Sequence, residues 1–275
     1  MVDDHPDARP QSGIGTADLI YQAPAEGGIP RYMLVYQASD APSIGPVRSA
    51  RRYFLGWAAE WRALYAHVGG APNALGYIHQ VNGALVWDAD EFFWPTYLWR
   101  ITQRVAPHNV YTSSARLRAL AARLGAKATV DTPAWTFKDD APYADRPIGG
   151  RIVVPYPWNE ISYRYDRASN RYPRFVSGGK AQIDAATKRQ VAPADVVVQF
   201  ASVGPLVNAP GQSTNQAKGR LELGYIGSGK ALVFRDGQTI QARWSKKSDG
   251  APTVFTYASG SQAGDPVPLV RGQIA

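Results

Sequence analysis

The residues best able to do chemistry are concentrated between Glu26 and Arg52, in the runs Glu26-Gly-Gly-Ile-Pro-Arg31 and Ser43-Ile-Gly-Pro-Val-Arg-Ser-Ala-Arg-Arg52. Guanidinium groups grip carboxylates and phosphates through planar, paired contacts. Arg31, Arg48, Arg51 and the later Arg104 are therefore candidate anion binders, and Arg9, Ser49 and Asn109 complete the candidate ligand-binding set. For acid–base chemistry the best pairing is Glu26 with His67 or His108, because imidazole titrates near neutral pH. The competing structural reading pairs these arginines with Asp40, Glu26 or Glu60 on the surface.

Other chemistries fare less well. The four histidines, His5, His67, His79 and His108, show no i, i+4 pair of the helical zinc type. His67 and His108 can in principle share a metal with Asp3, Asp4 or Glu26, but two histidines on separate loops are more often structural. No metal and no cofactor is assigned. Ser12, Ser43 and Ser49 lie in loops without a Gly-x-Ser-x-Gly elbow. Gly224-Tyr-Ile-Gly-Ser-Gly-Lys230 has the glycines of a phosphate loop but lies between strands, and reads as a turn. With no cysteine in the chain, disulfides, thiolate catalysis and cysteine-bound zinc are excluded.

The elements that must position these groups follow from periodicity. Tyr32 to Tyr36 is a continuous apolar run, which suits a strand buried on both faces. Phe54, Leu55, Trp57, Ala58, Trp61 and Leu64 recur at helical spacing, so Gly45-Pro46 is expected to turn a strand into a helix whose first turn carries Arg48, Ser49, Arg51 and Arg52. The free N–H groups there favour an anion, although arginines in a first turn oppose the helix dipole. Val2 to Asp7 reads as the frayed end of a first strand, Asp18 to Gln22 as a second, and Leu64 to Gly70 as another short buried one. Pro72 opens a short helix, and Ser113 or Ser114 caps a later one. The aromatic stretch from Asn82 to Arg104 is expected to pack irregularly on the sheet, with a lid or stacking platform as the alternative. Strands alternating with helices and glycine turns predict an α/β domain with a mostly parallel sheet over residues 1–130, with Glu26, Arg48 and His67 on one rim. Residues 131–148 read as a linker, and 149–275 as a C-terminal, mainly antiparallel β domain with a hairpin turn at Phe234 to Thr239 and a polar loop from Val207 to Lys218.

Several segments together resemble the YerB-like family of uncharacterised bacterial lipoproteins, DUF3048. They are Ala8-Arg-Pro-Gln-Ser-Gly-Ile14, Ala17-Asp-Leu-Ile-Tyr21, the two runs above, His67-Val-Gly-Gly-Ala-Pro72 and Ala106-Pro-His-Asn109. Order and spacing fit along the whole chain. Pro30 stands where the family usually has Thr, and Ala71 where it usually has Ser. The resemblance implies two domains and a lipid-anchored, extracytoplasmic protein, with no established activity. Met1-Val-Asp-Asp4 carries no signal peptide, so either the full-length form begins upstream with a signal and a lipid-bearing cysteine, which is the favoured expectation, or this version is not exported.

At 275 residues and 45% apolar content the chain has ample material for a core, and no apolar run approaches the ~20 residues that span a bilayer. The net charge of +8 permits anionic partners, but the basic residues form no dense tract, so nucleic acid gives no strong signal. The expected function is extracytoplasmic binding of an anionic or sugar-bearing envelope ligand at the Arg/His rim. The alternative is a hydrolase or lyase that uses His67 or His108 with Glu26 on an envelope polymer or other ester or glycan. Nucleic-acid binding is the third reading and ranks last because the basic residues are scattered. A protein partner is a further possibility, and the membrane enters only through the lipid anchor.

Overall fold

The computed structural model describes residues 1–129, 135–208 and 218–275. The N-terminal half contains, in order, β1 (Val2–Asp3), β2 (Leu19–Pro24), β3 (Pro30–Val35), α1 (Arg52–Glu60), β4 (Leu64–His67), α2 (Pro72–Val81), β5 (Trp87–Asp90), β6 (Trp99–Arg100), β7 (Val110–Tyr111) and α3 (Ser114–Arg123). The C-terminal half adds β8 (Phe137–Lys138), β9 (Arg151–Tyr156), β10 (Asn159–Arg164), β11 (Arg174–Val176), β12 (Lys180–Ala181), β13 (Val196–Gln199), β14 (Val203–Pro205), β15 (Leu221–Leu223), β16 (Gly227–Arg235), β17 (Gln238–Lys246), β18 (Val254–Tyr257) and β19 (Leu269–Val270).

The expected parallel sheet is corrected here. The central N-terminal sheet runs β1-β3-β2 and both pairings are antiparallel. Among the described strands of the N-terminal half, only the small β4–β5 pair is parallel. The apolar run in β3 is indeed buried on both faces, for a different reason. Met33 joins the core formed by α1 and α2, while Tyr32 joins a second core with Val2, Ile14, Ile20 and Val191. The second face of the sheet is covered by the C-terminal half, so an antiparallel strand acquires the composition of a doubly covered one.

The chain before α1 is also corrected. Arg48 and Ser49 lie outside any helix and Arg51 is the N-cap residue of α1, so of the four residues expected in the first helical turn only Arg52 lies in it. Residues 44–50 are held by long-range bridges instead: Ile44 with Thr112, Val47 with Val2, and Ala50 with Gly70. Residue 1 and the strand after it are buried rather than frayed. α1 buries eight of its nine residues, and at Gly56 an added Cβ would lie 2.1 Å from the Tyr225 ring.

The C-terminal half is built of antiparallel sheets, β12-β11-β10-β9 and β13-β16-β17-β18. The β16–β17 hairpin turns at Asp236-Gly237, both at positive φ. The turn expected over Gly224 to Lys230 is corrected in part: Gly227 to Lys230 belong to β16. Within the expected linker, Trp135 donates to the Thr253 carbonyl and β8 pairs with β19. Most of the polar loop from Val207 to Lys218, and the linker residues 131–134, lie outside the described residues. Residues 273–275 join the halves: Ile274 bridges Leu19 on one side and Asp195 on the other.

Candidate functional site

Asp3, at the end of β1, gathers two of the predicted residues. Its Oδ2 receives His108 Nδ1 at 2.7 Å and pairs with Arg48 Nε at 3.0 Å, while Oδ1 accepts the backbone N–H of His5. His108 lies just after Pro107, and Arg48 is fixed by backbone bonds to Met1 and Val68. The His5 ring stacks on His108 with centroids 4.8 Å apart, a contact without a sequence signal. Asp3 had been visible only as a conceivable metal ligand, and its charged neighbours Asp4 and His5 were the available hint.

A second group lies one strand across, because Asp3 and Arg31 are Cα partners in the β1–β3 register. Glu26 takes both Nε and Nη2 of Arg51 at 2.6 Å, and Arg31 Nη2 approaches at 3.6 Å. Arg31 Nη1 donates to the Ser49 carbonyl, so Ser49 contributes its backbone here. Gly27 and Gly28, both at positive φ, turn the chain so that Glu26 faces these arginines. Burial works to raise the Glu26 carboxyl, but the Arg51 hydrogen bonds and the Arg51 and Arg31 charges outweigh it and hold it below its ordinary value. Burial, reinforced by Arg51, pushes the Arg31 guanidinium down to about 10, so it stays protonated at neutral pH. Arg31 also feels the charges of Arg48 and Asp3, which couples the two groups.

The remaining predicted residues are used elsewhere. Arg9 binds Asp4 through Nε and Nη2, and Asp4 also accepts from Gln11, Gln22 and Asn159 at the junction of the two halves. Burial raises the Asp4 carboxyl against the opposing charges of Arg9 and Arg174. Arg104 donates to the carbonyls of Ala8 and Pro10, and Asn109 Oδ1 accepts from Arg100. His67 is fully buried, with Nε2 2.9 Å from Asp88 Oδ1 and Nδ1 2.8 Å from the Gly69 carbonyl. Both ring nitrogens of His67 are engaged within the protein, so neither is open to a substrate. The expected cluster of His67, Glu26 and His108 is therefore not formed through hydrogen bonds: each has a different partner. Phe92 and Phe93, expected to pack on the sheet, are exposed.

Of the set considered for a shared metal, Asp3 meets His108, whereas His67 is engaged by Asp88 instead. A different grouping comes together: ligand atoms of His5, Asp7 and His108 lie within 4.8 Å of one another. His5 Nδ1, however, accepts the Asp7 N–H and His108 Nδ1 is engaged by Asp3, so each ring keeps only Nε2 for a ligand in this arrangement.

Fold and site together define a two-part extracore architecture with arginine–carboxylate groups between β1, β3 and the chain entering α1, and comparison with known proteins identifies its class. The family model described as "Protein of unknown function (DUF3048) N-terminal domain" matches residues 1–127, and the corresponding C-terminal domain model matches residues 152–274. The chain belongs to the DUF3048 family. Among its relatives, the putative lipoprotein YerB of Bacillus subtilis (strain 168) is 31% identical over 251 residues, covering 90% of this chain and 72% of the relative. The crystal structure of the YerB protein from Bacillus subtilis superposes with a TM-score of 0.81 at 27% identity, covering 99% of this chain and 87% of that one. Among the described residues, no helix is long and apolar enough to cross a membrane.

Proposed function

We propose that the protein is an extracytoplasmic, lipid-anchored binding protein that captures an anionic or sugar-bearing envelope ligand beside Arg48 and His108. The observation that carries this reading is the excess of cationic groups. Arg48 and His108 share one oxygen of Asp3, and Arg51 and Arg31 share Glu26, so three guanidiniums face two carboxylates before His108 is protonated. Arg48 and His108 keep partial exposure, 22% and 16% of their side chains, and remain reachable from solvent. An anion there gains charge-assisted hydrogen bonds without having to displace an arginine from a deep pocket. The lipoprotein name of the relative supports the location.

A thermal-shift screen of glycerol phosphate oligomers, muropeptides and neutral oligosaccharides tests this. A bound ligand at 100 times its Kd adds about 2.7 kcal/mol, a rise of several degrees for a chain of this size. The expected result is a shift with the anionic compounds that Arg48→Ala abolishes. Equal shifts in wild type and Arg48→Ala would refute the site.

One observation favours a second reading, a hydrolase or lyase. The Asp3 carboxylate holds His108 through Nδ1, which is the orientation that leaves Nε2 available as a base. This reading needs turnover that Asp3→Asn removes.

A further inference from the structure

His5, Asp7 and His108 are three side chains of metal-ligating type, and one ligand atom from each lies within 4.8 Å of the others. His5 Nδ1 and Asp7 Oδ2 are 3.5 Å apart. Ligand atoms about 2.1 Å from a tetrahedral ion stand about 3.4 Å from one another, so this pair already has the spacing that one ion imposes. The two residues flank Pro6 at a single turn, which sets that spacing locally. His108 arrives from a distant loop, and its ring stacks on His5 with an interplanar angle of 18°.

Asp3 ties both histidines into one unit. Its Oδ2 accepts the Nδ1 proton of His108 at 2.7 Å, which leaves the ring's lone pair on Nε2, and its Oδ1 accepts the backbone N–H of His5 at 3.1 Å. Metal-ligating histidines almost always give their second ring N–H to a carboxylate, carbonyl or water, which orients the ring and raises its basicity. Asp3 is buried and is itself held by Arg48, so this supporting group is firmly placed. The ligands nevertheless face solvent: the His5, His108 and Asp7 side chains are 34%, 16% and 74% exposed, which gives an ion an entry path. One bond must yield, the 3.2 Å contact from the Asp7 N–H to His5 Nδ1, and it is long and exposed, so water can replace it.

We propose that His5 Nδ1, His108 Nε2 and the Asp7 carboxylate bind a divalent ion of the zinc class, with Asp3 as the carboxylate that positions them. Two imidazoles and one carboxylate suit zinc and its borderline neighbours, whereas magnesium and calcium take oxygen ligands. Three protein ligands leave a fourth position to water or to an oxygen anion. The site goes beyond anion capture at Arg48: the two share His108, but the ion needs no arginine.

The test is a calorimetric titration of zinc chloride into the full chain after chelator treatment, with magnesium chloride as the contrasting probe. One zinc per chain is expected, bound more tightly than magnesium. Asp3→Asn, which alters no ligand, should weaken zinc by about 10–100-fold, and loss of a ligand in His5→Ala or His108→Ala should cost at least as much. His79→Ala removes an exposed histidine of α2 outside the cluster and should leave the affinity unchanged. Long-range ¹H–¹⁵N correlation of the imidazoles in the zinc-loaded protein should show His108 bound through Nε2 with Nδ1 protonated, and His5 bound through Nδ1. Undiminished zinc affinity in His5→Ala would overturn the proposal, as would magnesium binding as tightly as zinc or no saturable zinc binding. If Asp3→Asn or His108→Ala fails to fold, His5→Ala decides alone, because its side chain is partly exposed and its backbone bond to Asp3 remains. Failure of anion capture at Arg48 would leave this result untouched, since zinc alone is the probe and Arg48 is not a ligand.

Discussion

Asp3 Oδ2 holds Arg48 and His108 at once, so a single substitution separates the two readings of the site. Asp3→Asn removes the carboxylate that neutralises both. Asp3 is buried, so loss of its His108 hydrogen bond and its Arg48 ion pair is expected to cost about 1–3 kcal/mol in chemical denaturation. The freed cations should bind inorganic phosphate at least as tightly as wild type does, whereas a catalytic Asp3–His108 pair would lose its turnover. Calorimetric titration of phosphate into both proteins checks the first outcome. A second residue-scale prediction concerns Asp195. Burial, reinforced by Asp236, outweighs its bond from the Val270 N–H and the charges of Arg235 and Arg171 and raises the carboxyl to about 7. Its Oδ1 has no partner among the described residues. In the unfolded chain Asp195 ionises near 3.9. Between about pH 4 and pH 7 the folded state therefore binds the extra proton, and stability falls as pH rises through that window. Relative to wild type, Asp195→Asn should gain about 2–4 kcal/mol on moving from pH 4.5 to pH 8, measured by urea denaturation. A constant difference across that range would count against the shifted carboxyl.

At the scale of elements, α1 is the piece through which the site and the junction are both set. Its N-cap is Arg51, bound to Glu26, and its last residue is Glu60, buried against the C-terminal half. Glu60 Oε2 accepts from Lys246 Nζ at 3.0 Å and from both the backbone and side chain of Thr253, while Oε1 accepts from Tyr21. Lys246 is itself 1% exposed. Lys246→Met leaves Glu60 as an uncompensated buried charge and should destabilise by about 3–5 kcal/mol. The double variant with Glu60→Gln should recover part of that loss in a denaturation cycle, and strict additivity would contradict the pairing. Gly56→Ala tests the same helix sterically. The added methyl meets the Tyr225 ring at a distance that requires movement, with an expected cost of about 1–3 kcal/mol. The sequence made α1 legible through its apolar spacing, and β3 through its unbroken apolar run. It placed Arg52 in the first turn of α1 but also put Arg48, Ser49 and Arg51 there, because the segment before α1 is held by bridges to Val2, Gly70 and Thr112, partners that no local pattern announces. The same holds for His67: its type suggested a base, and only the approach of Asp88 across the parallel β4–β5 pair shows it to be fully engaged.

For the whole molecule, the two halves read from composition share cores rather than sitting side by side. Tyr225 packs with α1, Val191 with β1 and β2, and residues 273–275 are hydrogen-bonded to both β2 and β13. The antiparallel β character of the second half was legible because its strands are separated by clear turn residues, as at Asp236-Gly237. The parallel sheet expected of the first half was not found, since double-sided burial has two causes and the sequence does not distinguish a covering helix layer from a covering domain. Arg48 and His108 meet at Asp3 and Arg31 and Arg51 at Glu26; Asp3 and His5 are seen only in the β1–β3 register and in ring stacking. The most direct measurement of anion capture is a calorimetric titration of a glycerol phosphate oligomer into wild type and Arg48→Gln at two salt concentrations. Binding through the arginine groups predicts at least a tenfold loss of affinity in Arg48→Gln and weaker wild-type binding at the higher salt. Equal affinity in the two proteins, or affinity indifferent to salt, would contradict it.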